Sequence, residues 1–199
     1  TKQIDATWVA GDNAGGLDTG SVAIDTTYYC FVIWNPTTST ADFLFSTSVS
    51  SPTMPSGYTK KKKRASLMTD GSGNIRPGSY TFFTGGYRFI YNSNLLDINI
   101  SSVTTGSRTL YTLTLPPSTT AITTFSVSTT TGNAGTKLIY ITNADVPDDT
   151  NPDLRWGQGS VENVQYSQYR EDRTDSNSQI GIRGNDSDPD VLVYTQGWT

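Results

Sequence analysis

The sequence predicts an all-β protein, an antiparallel β-sandwich of jelly-roll type, on three observations. Apolar and polar residues alternate wherever the chain is apolar, turn-forming residues separate these runs at short intervals, and no stretch carries a helical period. Threonine and serine supply 54 of the 199 residues, and the apolar share is only 34%. Hydroxyl side chains must therefore fill many strand positions, and threonine suits them because its branched Cβ favours an extended backbone. No window sets apolar residues at i, i+3, i+4 and i+7 without a Gly, a Pro or a Thr cluster inside it.

The clearest strand is 27–34. One face would carry Tyr28, Cys30, Val32 and Trp34 and the other Tyr29, Phe31 and Ile33, which predicts a central strand buried on both sides. Asn35-Pro36 supplies the turn into 41–46. The run Lys60, Lys61, Lys62, Lys63 and Arg64 puts charge on both faces of an extended chain. Such a strand cannot be central, and it suits an edge protected against aggregation or a contact with an anionic surface. Shorter runs follow at 66–69, 79–84, 87–91, 95–100, 109–115, 122–129, 137–142, 161–168, 179–183 and 191–195, with turns at Gly85-Gly86, Pro116-Pro117, Gly132-Asn133 and Gly184-Asn185. The polar stretch 171–178 reads as a loop, and 148–156 has room for one turn of helix inside a long loop. Strand patterns on either side of 143–160 look alike, so the chain reads as one domain, 1–199, with that segment as the place where a boundary would fall.

Composition narrows the chemistry. With no histidine, a Ser-His-Asp or Cys-His mechanism and an imidazole-bearing zinc site are excluded. Cys30 is alone, so it forms no intrachain disulfide, and its place in an apolar strand predicts a buried, inert thiol. Paired carboxylates are the remaining enzymatic option, since glycoside hydrolysis needs two acids about 5 to 10 Å apart. The candidates are Asp148, Asp149 and Asp153, or Glu162, Glu171 and Asp172, and nothing in the sequence pairs them. The reading is a protein that is not an enzyme and carries no cofactor. Asp186-Ser187-Asp188-Pro189-Asp190 alternates carboxylates as a calcium loop would, yet the sixth and twelfth positions from Asp186 are Val191 and Gly197, where an EF-hand needs Gly and Glu. It reads as a solvated turn without a metal.

The net charge of −4 and a sequence pI near 4.7 argue against general attraction to nucleic acid or anionic membrane. No run of about 18 apolar residues predicts a membrane span. Trp156, Tyr166, Tyr169 and Trp198 lie in the polar C-terminal third and form the candidate ligand-binding set, because a flat ring with a polar handle suits sugar or protein contact.

An ordered set of motifs then runs from Gly16 to Phe83. It comprises Leu17-Asp18-Thr19-Gly20-Ser21, the aromatic strand entry at Tyr28-Tyr29, and Asp42-Phe43-Leu44-Phe45-Ser46-Thr47-Ser48. Pro52-Thr53-Met54-Pro55-Ser56-Gly57-Tyr58-Thr59 and Asp70-Gly71-Ser72-Gly73-Asn74-Ile75 complete it. A weaker stretch, Ser176 to Trp198, closes on Gln196-Gly197-Trp198. This order resembles a module of bacteriophage tail-fibre and head-fibre virion proteins, with four consecutive lysines where a mixed basic pair is usual. The resemblance implies a β-rich, homotrimeric appendage of the virion, on tail or capsid, made in the bacterial host cytoplasm. Its partners would be copies of itself, other virion proteins and host surface polysaccharide, and it brings no catalytic residues. The expected function is therefore a fibre, spike or decoration domain for host attachment. The alternatives are a bacterial carbohydrate-binding module or adhesin, and then a glycan depolymerase.

Overall fold

The computed structural model describes residues 1–128, 137–148, 155–158, 165–187 and 189–199, with the backbone alone at 137, 155–158 and 165–166. Fourteen strands and no helix occur among them. They divide into two compact units that meet at Pro77–Gly78, a boundary that the alternation of apolar residues does not mark.

Residues 1–77 form one five-stranded sheet in the order β1 (Lys2–Thr7), β2 (Ala14–Leu17), β4 (Thr40–Ser46), β3 (Thr27–Asn35), β5 (Lys60–Met68). The pairs β1–β2 and β2–β4 are parallel, whereas β3 is antiparallel to both β4 and β5. β3 lies between two strands and separates two apolar clusters, one on each face. Tyr29, Phe31 and Ile33 pack with Leu44 and Tyr58. Tyr28 packs with Ile4, Leu17 and Leu67, with Cys30 half-buried beside them. The two-faced burial read from the sequence is thus present, and Val32 and Trp34 are its partly exposed end.

Residues 78–199 form a two-sheet sandwich. One sheet runs β12 (Gln165–Arg173), β9 (Thr120–Ser128), β14 (Asp190–Trp198), β7 (Gly86–Ile100), β6 (Gly78–Phe83). The other runs β11 (Arg155–Gln158), β10 (Lys137–Asn143), β13 (Gln179–Gly184), β8 (Thr109–Thr112). Every pair in both sheets is antiparallel. The pairing is nested: β7 with β14, β8 with β13, β9 with β12, and β10 with β11. A long ribbon folded in half, then wound so that successive pairs fall on opposite sheets, gives this order. The result is a jelly roll, closed by the β9–β14 and β10–β13 contacts, with β6 added at one edge. Phe89, Phe125, Ile139, Ile180, Val193 and Trp198 belong to the core of this unit.

Three expectations are corrected. Runs 87–91 and 95–100 are one strand, β7, whose pairing with β14 slips between Val193 and Tyr194 and again between Thr195 and Gly197. At the first slip Asp97 leaves the ladder, and its carboxylate accepts from the Thr114 amide at 2.6 Å, the Thr114 hydroxyl at 2.7 Å and the Thr195 hydroxyl at 2.5 Å. A polar residue inside an apolar strand is thereby satisfied. The polar stretch 171–178 is strand as far as Arg173, because Arg170 and Asp172 form a bidentate pair at 2.8 and 2.9 Å and charge is neutralised within the strand. The helical turn allowed in 148–156 is strand β11 from Arg155, and residues 149–154 lie outside the described residues.

Candidate functional site

β5 has a neighbour on one side only, β3, so its outer edge is unpaired. Lys60, Lys61, Lys62 and Lys63 stand opposite Trp34, Ile33, Val32 and Phe31. Between Phe31 and Cys30 the register jumps from Lys63 to Ala65, so Arg64 is the extra residue of a bulge. A bulge bends the strand and tightens its twist, and it replaces the strict alternation expected for Arg64. All five cations are exposed. β3 offers no carboxylate opposite them, and among the described residues none of the five stands in an ion pair. The Lys63 ammonium lies 5.1 Å above the Tyr29 ring, worth roughly 0.5–1 kcal/mol at an exposed site. Ammonium groups on the same face of a strand stem from positions about 7 Å apart. The edge is a row of cations without counter-charges among the described residues.

Charge is uneven between the units. Residues 1–77 hold seven Lys and Arg against six Asp, whereas residues 78–199 hold seven against twelve Asp and Glu.

The first unit also has an open cleft of about 340 Å³, lined by residues 10–12 and 40–42 with Tyr58. Asp42, one of its lining residues, is held in a buried ion pair: the Lys2 ammonium is 2.9 Å from its carboxylate, with side-chain exposures of 3% and 11%. Lys2 also donates to the Val9 carbonyl and lies over the Trp8 ring at 5.0 Å. The Asp42 carboxylate further accepts from the Gly11 amide at 3.1 Å and the Phe43 amide at 2.7 Å. Gly11 has φ +101°, a conformation that side-chain-bearing residues rarely adopt, and this turns its N–H toward Asp42. Trp8 meets Tyr58 edge-to-face at 5.1 Å and donates to the Phe43 carbonyl at 3.0 Å. Sequence reasoning missed this cleft. Its one local signal was the Pro-rich loop that ends in Gly57-Tyr58.

The four aromatics proposed from the sequence do not form one surface. Trp198 is fully buried, stacked on Phe89 at 4.2 Å and edge-on to Tyr91 at 5.4 Å, so it is a core residue and not a ligand contact. Tyr169 is 51% exposed, and its hydroxyl donates to Glu171 at 2.8 Å. Burial first, and the Glu171 carboxylate second, push the Tyr169 phenol above its ordinary value. Trp156 stands opposite Ile139 in the four-stranded sheet and Tyr166 opposite Val127 in the five-stranded one, and the side chains of both lie outside the described residues.

Carboxylate pairing fares similarly. Glu171 accepts from Arg88 at 2.7 Å, while Asp172, its neighbour in the strand, is buried against Arg170. Consecutive strand residues point to opposite faces, so these two acids do not converge. Asp148 accepts from the Arg108 amide at 2.9 Å and is 3.3 Å from the Arg183 guanidinium. Asp149, Asp153, Glu162 and Asp188 lie outside the described residues, and Asp190 opens β14 opposite Ser128. Among the described residues no group of three or more Cys, Asp or Glu is arranged to hold a metal ion, and no helix is long and apolar enough to cross a membrane. No protein-family model matches the chain, and no curated protein sequence matches it.

Proposed function

We propose that this chain is a non-enzymatic structural protein of a bacteriophage virion, a fibre, spike or decoration domain that attaches to anionic polysaccharide on the host surface. The observation that carries the reading is the row Lys60, Lys61, Lys62, Lys63 and Arg64 on an unpaired strand edge of a protein that is acidic elsewhere. Lysine acts there as a point charge toward carboxylate or phosphate on a repeating polymer. The jelly roll of residues 78–199 agrees, since viral capsid and lectin domains use that architecture. A homotrimer would multiply weak contacts through avidity. β6 is a candidate edge for that association, because it carries no charge and exposes Phe82 at 66% and Phe83 at 55%.

Two measurements on the purified chain test the reading. Light scattering should give three times the 21.6 kDa of one chain, and retention on host lipopolysaccharide or capsule should fall steeply with salt and be lost when Lys60 to Lys63 are changed to Gln. A strict monomer that still binds the polysaccharide would point instead to a carbohydrate-binding module. Released oligosaccharide would point to a depolymerase, and absence of retention at low salt would overturn the attachment role.

A further inference from the structure

We propose that the open edge of β5 is a docking site for an extended, acidic segment of another protein chain, which adds to the sheet as a further strand. The proposal goes beyond the attachment reading and stands without it. It starts from the backbone. In an antiparallel pair every second residue turns its N–H and C=O away from its neighbour. The register of Lys60, Lys61, Lys62 and Lys63 against β3 is unbroken, so alternate residues of this stretch present both groups at the outer edge of the sheet.

The chain uses this edge once and then leaves it. The Arg76 amide donates to the Met68 carbonyl at 2.8 Å, and Thr69 forms an isolated antiparallel bridge with Ile75. The edge is therefore able to accept a strand. A chain that continued along it past Arg76 would run toward Lys60, but the next residue is Pro77, which has no N–H to give, and the first unit ends there. Among the described residues no strand takes up the remaining length of the edge.

Charge complementarity selects the occupant. Lys60 and Lys62 stem from one face of the strand and Lys61 and Lys63 from the other, all four exposed and none in an ion pair among the described residues. A polymer lying across one face meets only one of these pairs. A strand added in the plane of the sheet sends its own successive side chains to both faces, so consecutive acids along it meet all four cations. The same lysines repel a second copy of β5, which leaves a strand of opposite charge as the partner that fits. Backbone hydrogen bonds then supply affinity and the charges supply specificity, as in other cases of strand addition. An edge so occupied is closed to polysaccharide, and docking and attachment compete.

The test is an amide NMR titration of the full chain with the peptide Val-Thr-Glu-Glu-Glu-Glu-Thr-Val, blocked at both ends. Expected are saturable shifts centred on residues 60–64 and slowed hydrogen exchange at alternate amides of that stretch. The same peptide with methyl groups on the nitrogens between its glutamates keeps every charge but cannot pair, and it should bind about tenfold more weakly or worse, because at least two hydrogen bonds are lost. The peptide with Gln in place of each Glu should also weaken about tenfold, the sum of four modest exposed ion pairs. Lys60→Gln, Lys61→Gln, Lys62→Gln and Lys63→Gln together, all at exposed positions, should do the same to the acidic peptide without disturbing the spectrum elsewhere. Equal binding by the methylated peptide, unchanged exchange at residues 60–63, or shifts centred elsewhere would overturn the docking site. Polysaccharide retention without peptide pairing sinks the docking site and leaves the attachment role standing; peptide pairing without retention does the reverse.

Discussion

At the scale of single residues, burial decides which chemistry-bearing side chains are available. Desolvation pushes the Cys30 thiol up to about 12, so at neutral pH it is held as the unreactive thiol. Ellman's reagent should therefore leave Cys30 untouched in the native protein at pH 8 and titrate one thiol per chain in denaturant; rapid native reaction would contradict the burial. Trp198 and Tyr169 make a second contrast. Both looked like ligand contacts in the sequence, because an aromatic among polar residues is ambiguous there. In the fold Trp198 stacks inside the sandwich and Tyr169 stands on the surface. Trp198→Ala should cost about 3–5 kcal/mol by denaturant unfolding. Tyr169→Ala, whose ring is half exposed, should stay within about 0.5 kcal/mol. Gly197 shows why the chain leads into that tryptophan as it does. A Cβ there would sit 1.9 Å from the Phe89 carbonyl oxygen, so only glycine lets β7 approach β14 next to the stacked pair.

At the scale of elements, the strands most at odds with simple alternation are the ones that charge and hydrogen bonding reshape. β12 was legible only in part, because Arg170, Glu171, Asp172 and Arg173 look like loop composition. Arg170 and Asp172, spaced two apart, share one face; there they pair bidentately, and the guanidinium lies 5.8 Å from the Phe125 ring. Asp172→Ala would leave the buried guanidinium without its counter-charge and should destabilise by about 3–5 kcal/mol; a change below 1 kcal/mol would show that water reaches it. The turn after β5 is fixed differently. Asp70 accepts from the Asn74 and Ser72 amides, each at 2.9 Å, and these bonds hold its carboxyl below the ordinary 3.8. The stability contributed by this turn is complete above the ordinary carboxylate range and is lost only as pH falls through the lowered value. Carboxyl NMR should find the Asp70 midpoint below 3.8, and Asp70→Asn should remove that titration while loosening residues 70–74. β1 and β2 escaped notice for a plain reason: one contains two glycines and the other buries a single residue, Ile4. The basic strand was legible as an edge because charge on both faces admits no other place in a sheet.

At the scale of the whole molecule, alternation tells which residues face inward but not which strand lies beside which. The nested order β7–β14, β8–β13, β9–β12, β10–β11 is long-range information, carried by side-chain fit over the full length of residues 78–199, and no local motif encodes it. The cleft was illegible for the same reason, since its residues come from three separated stretches that only the sheet brings together. The boundary at Pro77–Gly78 is a further case: similar strands lie on both sides, and only the pairing shows that the sheet of residues 1–77 and the two sheets of residues 78–199 share no strand. That separation has an energetic consequence. The core around Phe89, Phe125, Ile180 and Trp198 draws on the second unit alone, and a segment of this size can bury a core of its own. Residues 78–199 produced by themselves should give a dispersed amide spectrum and one cooperative unfolding transition. The intact chain should keep that transition while Ile33→Ala, in the first unit, lowers only the other. If the isolated segment is unfolded, or if Ile33→Ala shifts both transitions equally, the two units depend on each other for stability and the division at Pro77 is one of geometry alone.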